Sequence, residues 1–142
     1  MYQVHMYRSR AGERPVRKFL DDLPEKAAVK MMGAIEILAQ AGPTLRRPQV
    51  AHVKGKLWEL RVALGRLEYR MFYFFIAGQN IVLVHGLAKK TQALPHRDIQ
   101  TAEARMKDFE DQVNRGEVIR AVEDRLVDLL GVALDAVFLR GP

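Results

Sequence analysis

The 142-residue sequence contains no cysteine. That absence excludes a disulfide framework, a zinc–thiolate site and a thiol nucleophile. Long hydrophobic runs are missing too: the longest, Met71 to Ala77, is far too short to span a bilayer. No charged-then-apolar leader precedes the first strand-like segment, so a cytoplasmic location without membrane contact is expected. The four histidines, His5, His52, His85 and His96, lack the close helical spacing of a metal pair, and neither a metal nor another cofactor is expected. What remains is an ordinary globular mixture, 49% apolar and 28% charged, long enough for one domain with a core of its own.

Charge is unevenly spread. Residues 1 to 107 hold 19 Lys/Arg against 9 Asp/Glu, a balance of +10, whereas residues 108 to 142 hold 4 against 8, a balance of −4. A basic body suits a nucleic-acid partner, because phosphate neutralisation dominates such binding. An acidic tail is a different kind of surface.

Periodicity orders the chain. Tyr2 to Tyr7 has the aromatic and β-branched character of a strand, with Tyr2, Val4 and Met6 on one face. Pro15 opens a short helix that closes before Pro24. From Glu25 to Gly42 an apolar stripe of Ala28, Met31, Ile35 and Leu38 marks an amphipathic helix, stopped by Gly42-Pro43. Residues 43 to 56 read as a loop broken by Pro43 and Pro48, carrying Arg46, Arg47, His52, Lys54 and Lys56. Three strands follow with short links: "LWELRVAL", "LEYRMFYFFIA" and "IVLVHGL" form an antiparallel meander. In the first, Trp58, Leu60, Val62 and Leu64 share one face and Glu59 and Arg61 the other. In the second, Glu68 and Arg70 share a face with Phe72 and Phe74. Beyond Pro95, Ile99, Ala102, Met106, Phe109 and Val113 form the stripe of another helix, and Gly116 separates it from a last helical segment.

This order predicts a small α+β domain: an antiparallel sheet with two N-terminal helices packed on one face, followed by C-terminal helices. The expected division is a domain over 1–108 and an acidic helical extension over 109–142. Strand-spaced Trp58 and the Phe72 to Phe75 run belong in such a core. Arg61 and Arg70 do not, since arginine is rarely buried without a partner. Either they pair with Glu59 and Glu68 on the strand face or they are placed to meet anions.

In wording and order, "KGKLWELR", "YRMFYF" and "HGLAKKTQALP", followed by a helix with "AEAR", resemble the phage-derived branch of the RelE/HigB toxin superfamily. The resemblance covers residues 2 to 108. It implies a RelE/ParE-like fold and a toxin of a type II toxin–antitoxin system that cleaves messenger RNA, in most characterised relatives on the ribosome, and that is held by a cognate helix-turn-helix antitoxin. The family works without a metal. Basic side chains on a shallow sheet surface surround the scissile phosphate while the RNA's own 2′-hydroxyl attacks it.

By the same resemblance, Arg61 and Arg70 stand where the family keeps catalytic or phosphate-binding residues, and Lys89 and Lys90 stand near the scissile phosphate. His85 is a candidate general base by its intrinsic range near neutrality. Arg46, Arg47, His52, Lys54 and Lys56 are expected to contact RNA or the ribosome. No tyrosine follows "AKKTQALP", where some relatives carry an active-site aromatic, so the resemblance does not identify the acid–base pair. A ParE-like branch of the same fold binds DNA gyrase and cuts no RNA, and it supplies a second, non-enzymatic reading, as does an inactive complex-forming relative. Glu117, Glu123, Asp124 and Asp128 in the tail are either the solvent side of an extra helix or a polyanion competing with phosphate for the basic surface.

Overall fold

The computed structural model describes residues 1–90 and 95–116. Five strands and three helices follow in the order β1 (Gln3–Met6), α1 (Pro15–Asp22), α2 (Glu25–Ala41), β2 (Val50–Lys54), β3 (Leu57–Leu64), β4 (Leu67–Ile76), β5 (Asn80–Lys89) and α3 (His96–Asn114). A single 3₁₀ turn, Gly42–Thr44, links α2 to the segment before β2. Proline and glycine set these boundaries. Pro15 lies in the first turn of α1, where its missing N–H costs nothing. Gly42 ends α2 at φ 57°, and a side chain there would run into the ring of Tyr2.

The sheet order is β1-β5-β4-β3-β2. All neighbours are antiparallel except β1, which lies parallel to β5 with Gln3 opposite Asn80 and Met6 opposite Leu83. The sheet is therefore mixed, which corrects the expectation of an antiparallel one. The helices α1 and α2 and the β2–β4 hairpins intervene between β1 and β5, and a parallel partner requires just such a long connection. The stretch 43–56 is corrected as well. It contains β2, which pairs with β3 through Val50 opposite Leu60 and His52 opposite Trp58. Five residues with two basic side chains left too short a pattern to announce a strand.

Each face of the sheet has its own core, as strand alternation dictates. On one face Val16 and Leu20 of α1 and Met31, Ile35 and Leu38 of α2 bury Val4, Met6, Leu60, Val62, Met71, Tyr73, Ile81 and Leu83. On the other face Ala102, Met106 and Phe109 of α3 cover Leu57, Phe72, Phe74, Val82 and Val84. Both strand-spaced phenylalanines on that side are fully buried, so they are core. The helix α3 runs on through the expected 108/109 division and buries Phe109 and Gln112 beyond it. The rest of the extension, with Glu117, Glu123, Asp124 and Asp128, lies outside the described residues.

The docking of α1 on β5 depends on one absent side chain. Phe19 lies against Gly86 so closely that a β-carbon at position 86 would overlap its ring. Gly86→Ala is expected to destabilise the fold by about 1–3 kcal/mol, the usual cost of overpacking, read as a lower urea midpoint at unchanged slope. A Phe19→Ala substitution in the same chain should restore part of the loss.

Candidate functional site

Arg61 and Arg70 are directly opposite each other across the β3–β4 pair, on the face that carries α3. Like charges so placed repel. The sequence answers with two glutamates in phase with them. Glu59 Oε1 accepts from Arg61 Nε at 2.7 Å, and Glu59 Oε2 lies 3.4 Å from Arg70 Nη1. Glu68 Oε1 then takes Arg70 Nε at 2.7 Å and Nη2 at 2.6 Å. The result is an alternating chain Arg61–Glu59–Arg70–Glu68. Its middle members are 1% exposed while Arg61 and Glu68, at 22% and 23%, open to solvent. Lys89 of β5 stands opposite Glu68, so the open end carries Arg61, Glu68 and Lys89 on one face, with exposed Lys90 next in the chain.

His85 sits one row nearer α3, opposite Phe72. Its Nε2 is 2.6 Å from Asp98 Oδ1, and Arg105 Nη1 donates to its Nδ1 at 2.9 Å and to the Val84 carbonyl at 3.0 Å. Because a guanidinium only donates, Nδ1 must be the acceptor and Nε2 must carry the proton that Asp98 receives. Burial pushes the imidazole pKa down, the Asp98 hydrogen bond opposes that, and the Arg105 charge adds to it. The ring is thus a neutral link between β5 and the first half of α3, with both nitrogens engaged.

The other expected contacts are dispersed. Arg46 and Arg47 are exposed on the segment that enters β2, where the Gln49 carbonyl accepts from the Arg61 backbone N–H at 2.8 Å. Arg46 itself donates to the Pro43 carbonyl at 2.8 Å. Lys54 and Lys56, at the other end of the β2–β3 hairpin, reach α3 instead, with Lys54 Nζ 3.4 Å from Glu103 and Lys56 Nζ 2.9 Å from Glu110. His52 bonds the Gly55 carbonyl at 2.7 Å and lies edge-on to Trp58, on the α1–α2 face.

Sequence reasoning put Arg61, Arg70 and Lys89 on one face of the sheet, where Arg70 is buried between carboxylates rather than open to a ligand, and it missed the partners Asp98 and Arg105. They are seven residues apart on α3, two helical turns, and that spacing was the signal. It also missed Tyr7, whose hydroxyl donates to Asp108 at 2.5 Å. Burial first, then Asp108, drives the Tyr7 phenol pKa well up, so it stays protonated. Among the described residues no group of three His, Asp or Glu side chains is placed to hold a metal ion, and no helix is long and apolar enough to cross a membrane.

The model of a protein family described as phage derived protein Gp49-like (DUF891) matches residues 18–107, from α1 to α3. Among solved structures, a chain of the archaeal RelE–RelB complex from Pyrococcus horikoshii OT3 is 23% identical, with a TM-score of 0.43 over 65% of this chain and 98% of that one. No protein with a curated description matches.

Two outcomes follow from the ion pairs. Arg70→Ala leaves Glu59 buried beside a single partner and should cost about 3–5 kcal/mol, as removing one member of a buried pair does; chemical denaturation measures it. The depressed His85 pKa sets the sign of an acid effect. The folded state binds fewer protons than the unfolded one below the ordinary histidine value of about 6.5. The contribution is therefore complete above that pH and is lost as pH falls from it toward the folded pKa. Urea midpoints at pH 7.5 and 5.5 should drop further for the native chain than for His85→Gln, and equal drops would contradict the assignment.

Proposed function

Because the chain belongs to the phage-derived Gp49-like family, the RelE/HigB-type branch that its motifs resemble, we propose that it is the toxin of a toxin–antitoxin pair and cleaves messenger RNA without a metal. The observation that carries this reading is the partly exposed part of the ion-pair chain, where Arg61, bonded to Glu59, and Lys89, opposite Glu68, share one face of the sheet. In the proposed reaction the 2′-oxygen attacks phosphorus and the bond to the 5′-oxygen breaks. The products are a 2′,3′-cyclic phosphate and a 5′-hydroxyl, after one proton leaves the 2′-hydroxyl and another reaches the leaving oxygen.

Arg61 suits the phosphate. Its Nε is committed to Glu59, which fixes the plane of the guanidinium, and its two terminal nitrogens can meet two phosphate oxygens. Arg70, buried between two carboxylates, acts through them by holding Glu59 and hence Arg61 in place. Lys89 and Lys90 add charge around the pentavalent phosphorus and a donor for the leaving oxygen. His85 accepts a proton only if Arg105 withdraws from Nδ1, so in this arrangement it serves by seating α3. Arg46 and Arg47 extend the basic track beside Arg61. Lys54 and Lys56 would join it by releasing Glu103 and Glu110, exposed pairs that cost little to open. His52, on the opposite face, is left for the ribosome or another partner. A small helix-turn-helix antitoxin covering the basic surface completes the proposed system.

One observation favours the ParE-like alternative. The four-residue chain is neutral as a unit, so it adds less positive potential than two unpaired arginines would. Arg61→Ala separates the readings. Cleavage of messenger RNA on purified ribosomes, and toxicity on induction, should fall by about 10²–10³, measured at a temperature where the variant is folded, because buried Glu59 then keeps only Arg70 and the urea midpoint falls as well. A ribosome-free RNA, if cut, should be cut in chelator. Full activity of Arg61→Ala, or a strict need for added metal on that free RNA, would overturn the proposal.

A further inference from the structure

A cleft of about 530 Å³ lies at the β1 edge of the sheet, between the start of α1 and Arg105 of α3, lined by Tyr7, Ser9, Glu13, Arg14, Pro15, Lys18 and Arg105. Three strand spacings, roughly 14 Å at 4.7–4.9 Å each, separate β1 from β3. We propose that this cleft is a second anion site, built for the phosphate of a nucleotide or of an RNA segment.

Three features of different origin support it. Its wall carries three cationic side chains against one carboxylate, Glu13, which is exposed at the rim. One of the three is fixed in advance: Arg105 Nη1 is held by the Val84 carbonyl and by His85 Nδ1, so little freedom is left to lose on binding. Another wall is the start of α1, an eight-residue helix with no side-chain cap at Arg14 and no acidic residue in its first turn. Pro15 offers no N–H there, so this wall contributes the positive end of the helix dipole and the charge of Lys18.

The frame is stiff. The Ser9 hydroxyl accepts from the Glu13 N–H at 3.0 Å, and the Gly12 N–H donates to the Ser9 carbonyl at 2.9 Å. Tyr7 is fastened to Asp108, and Arg10 to Asp111 at 2.8 Å, which ties the β1–α1 loop to α3. Lys18 pairs with Asp22 at 3.1 Å, both side chains being largely exposed, so it can turn into the cleft at little cost. The volume is that of a small-molecule pocket, large enough for a nucleoside monophosphate rather than a bare ion. Arg105 also gives the cleft a route to the rest of the fold, because the same guanidinium holds His85.

The test uses the full chain and four probes: adenosine 5′-monophosphate, adenosine, and a short non-cleavable 2′-O-methyl oligonucleotide with and without a 5′-phosphate. Titration calorimetry on the native protein should show binding of the monophosphate and not of the nucleoside. The double variant Arg14→Ala/Lys18→Ala should weaken the monophosphate by about tenfold or more, the equivalent of 1.4 kcal/mol, and Lys18→Ala alone, at an exposed side chain, should weaken it in part with an unchanged urea midpoint. Arg61→Ala should leave it unaffected, which keeps this site distinct from the proposed catalytic face. If the 5′-hydroxyl oligonucleotide also loses affinity in the double variant, the phosphate comes from an RNA backbone; if only the 5′-phosphorylated probes respond, it is a terminal or free nucleotide phosphate, and either result supports the site. Equal binding of nucleoside and monophosphate, no measurable binding of any phosphate probe, or indifference to Arg14→Ala/Lys18→Ala overturns it.

Discussion

The Glu59 carboxylate, bridging two arginines that face each other across β3 and β4, is the contact on which this fold and its proposed chemistry depend. Burying a charge is unfavourable unless partners replace its water. Arg70 is almost wholly buried, and Glu59 and Glu68 supply that replacement. Register follows from the same contact. A one-residue slip of β4 against β3 would turn Arg70 and Glu68 toward α1 and α2, where Met31, Ile35 and Leu38 offer no partner. The ion-pair chain therefore specifies pairing as much as it contributes stability, and its exposed end is where the proposed chemistry puts the phosphate.

The helix α3 decides how much of that sheet stays open. Its apolar stripe covers Phe72, Phe74, Val82 and Val84, and polar contacts pin it at both edges. On the β1 side Tyr7 and Arg10 hold Asp108 and Asp111. On the β2–β3 side Lys54 and Lys56 hold Glu103 and Glu110. Near the middle His85 and Arg105 lock the helix to β5. Several basic residues that composition alone would assign to a nucleic-acid surface are thereby engaged with acids of α3. The residual positive surface is smaller than the net charge of the body suggests, and among the described residues it includes the open end of the strand face and the cleft at the β1 edge.

Much of the architecture was legible because it rests on period and punctuation. The alternation in "LWELRVAL" and "LEYRMFYFF" gave the faces of β3 and β4 correctly, and Pro15, Pro24, Gly42 and Pro95 bounded the helices. The parallel pairing of β1 with β5 was not legible, since nothing local in Gln3 to Met6 states the direction of a neighbour almost eighty residues away. β2 was hidden by its brevity and by its two basic side chains. The site was half legible: the i, i+2 spacing of each Glu and Arg pair announced the local ion pairs. The cross-strand bond from Glu59 to Arg70, and the Asp98–His85–Arg105 link, needed the register and the helix position.

The central claim is that the Arg61 end of this face acts on RNA. Mapping the ends of cellular RNA shortly after induction of the native chain, beside Arg61→Ala at matched expression, tests it most directly. The account predicts new 2′,3′-cyclic phosphate and 5′-hydroxyl ends within messages for the native chain and their loss in the variant. Intact messages accompanied by broken DNA, in cells whose growth the native chain still arrests, would contradict it.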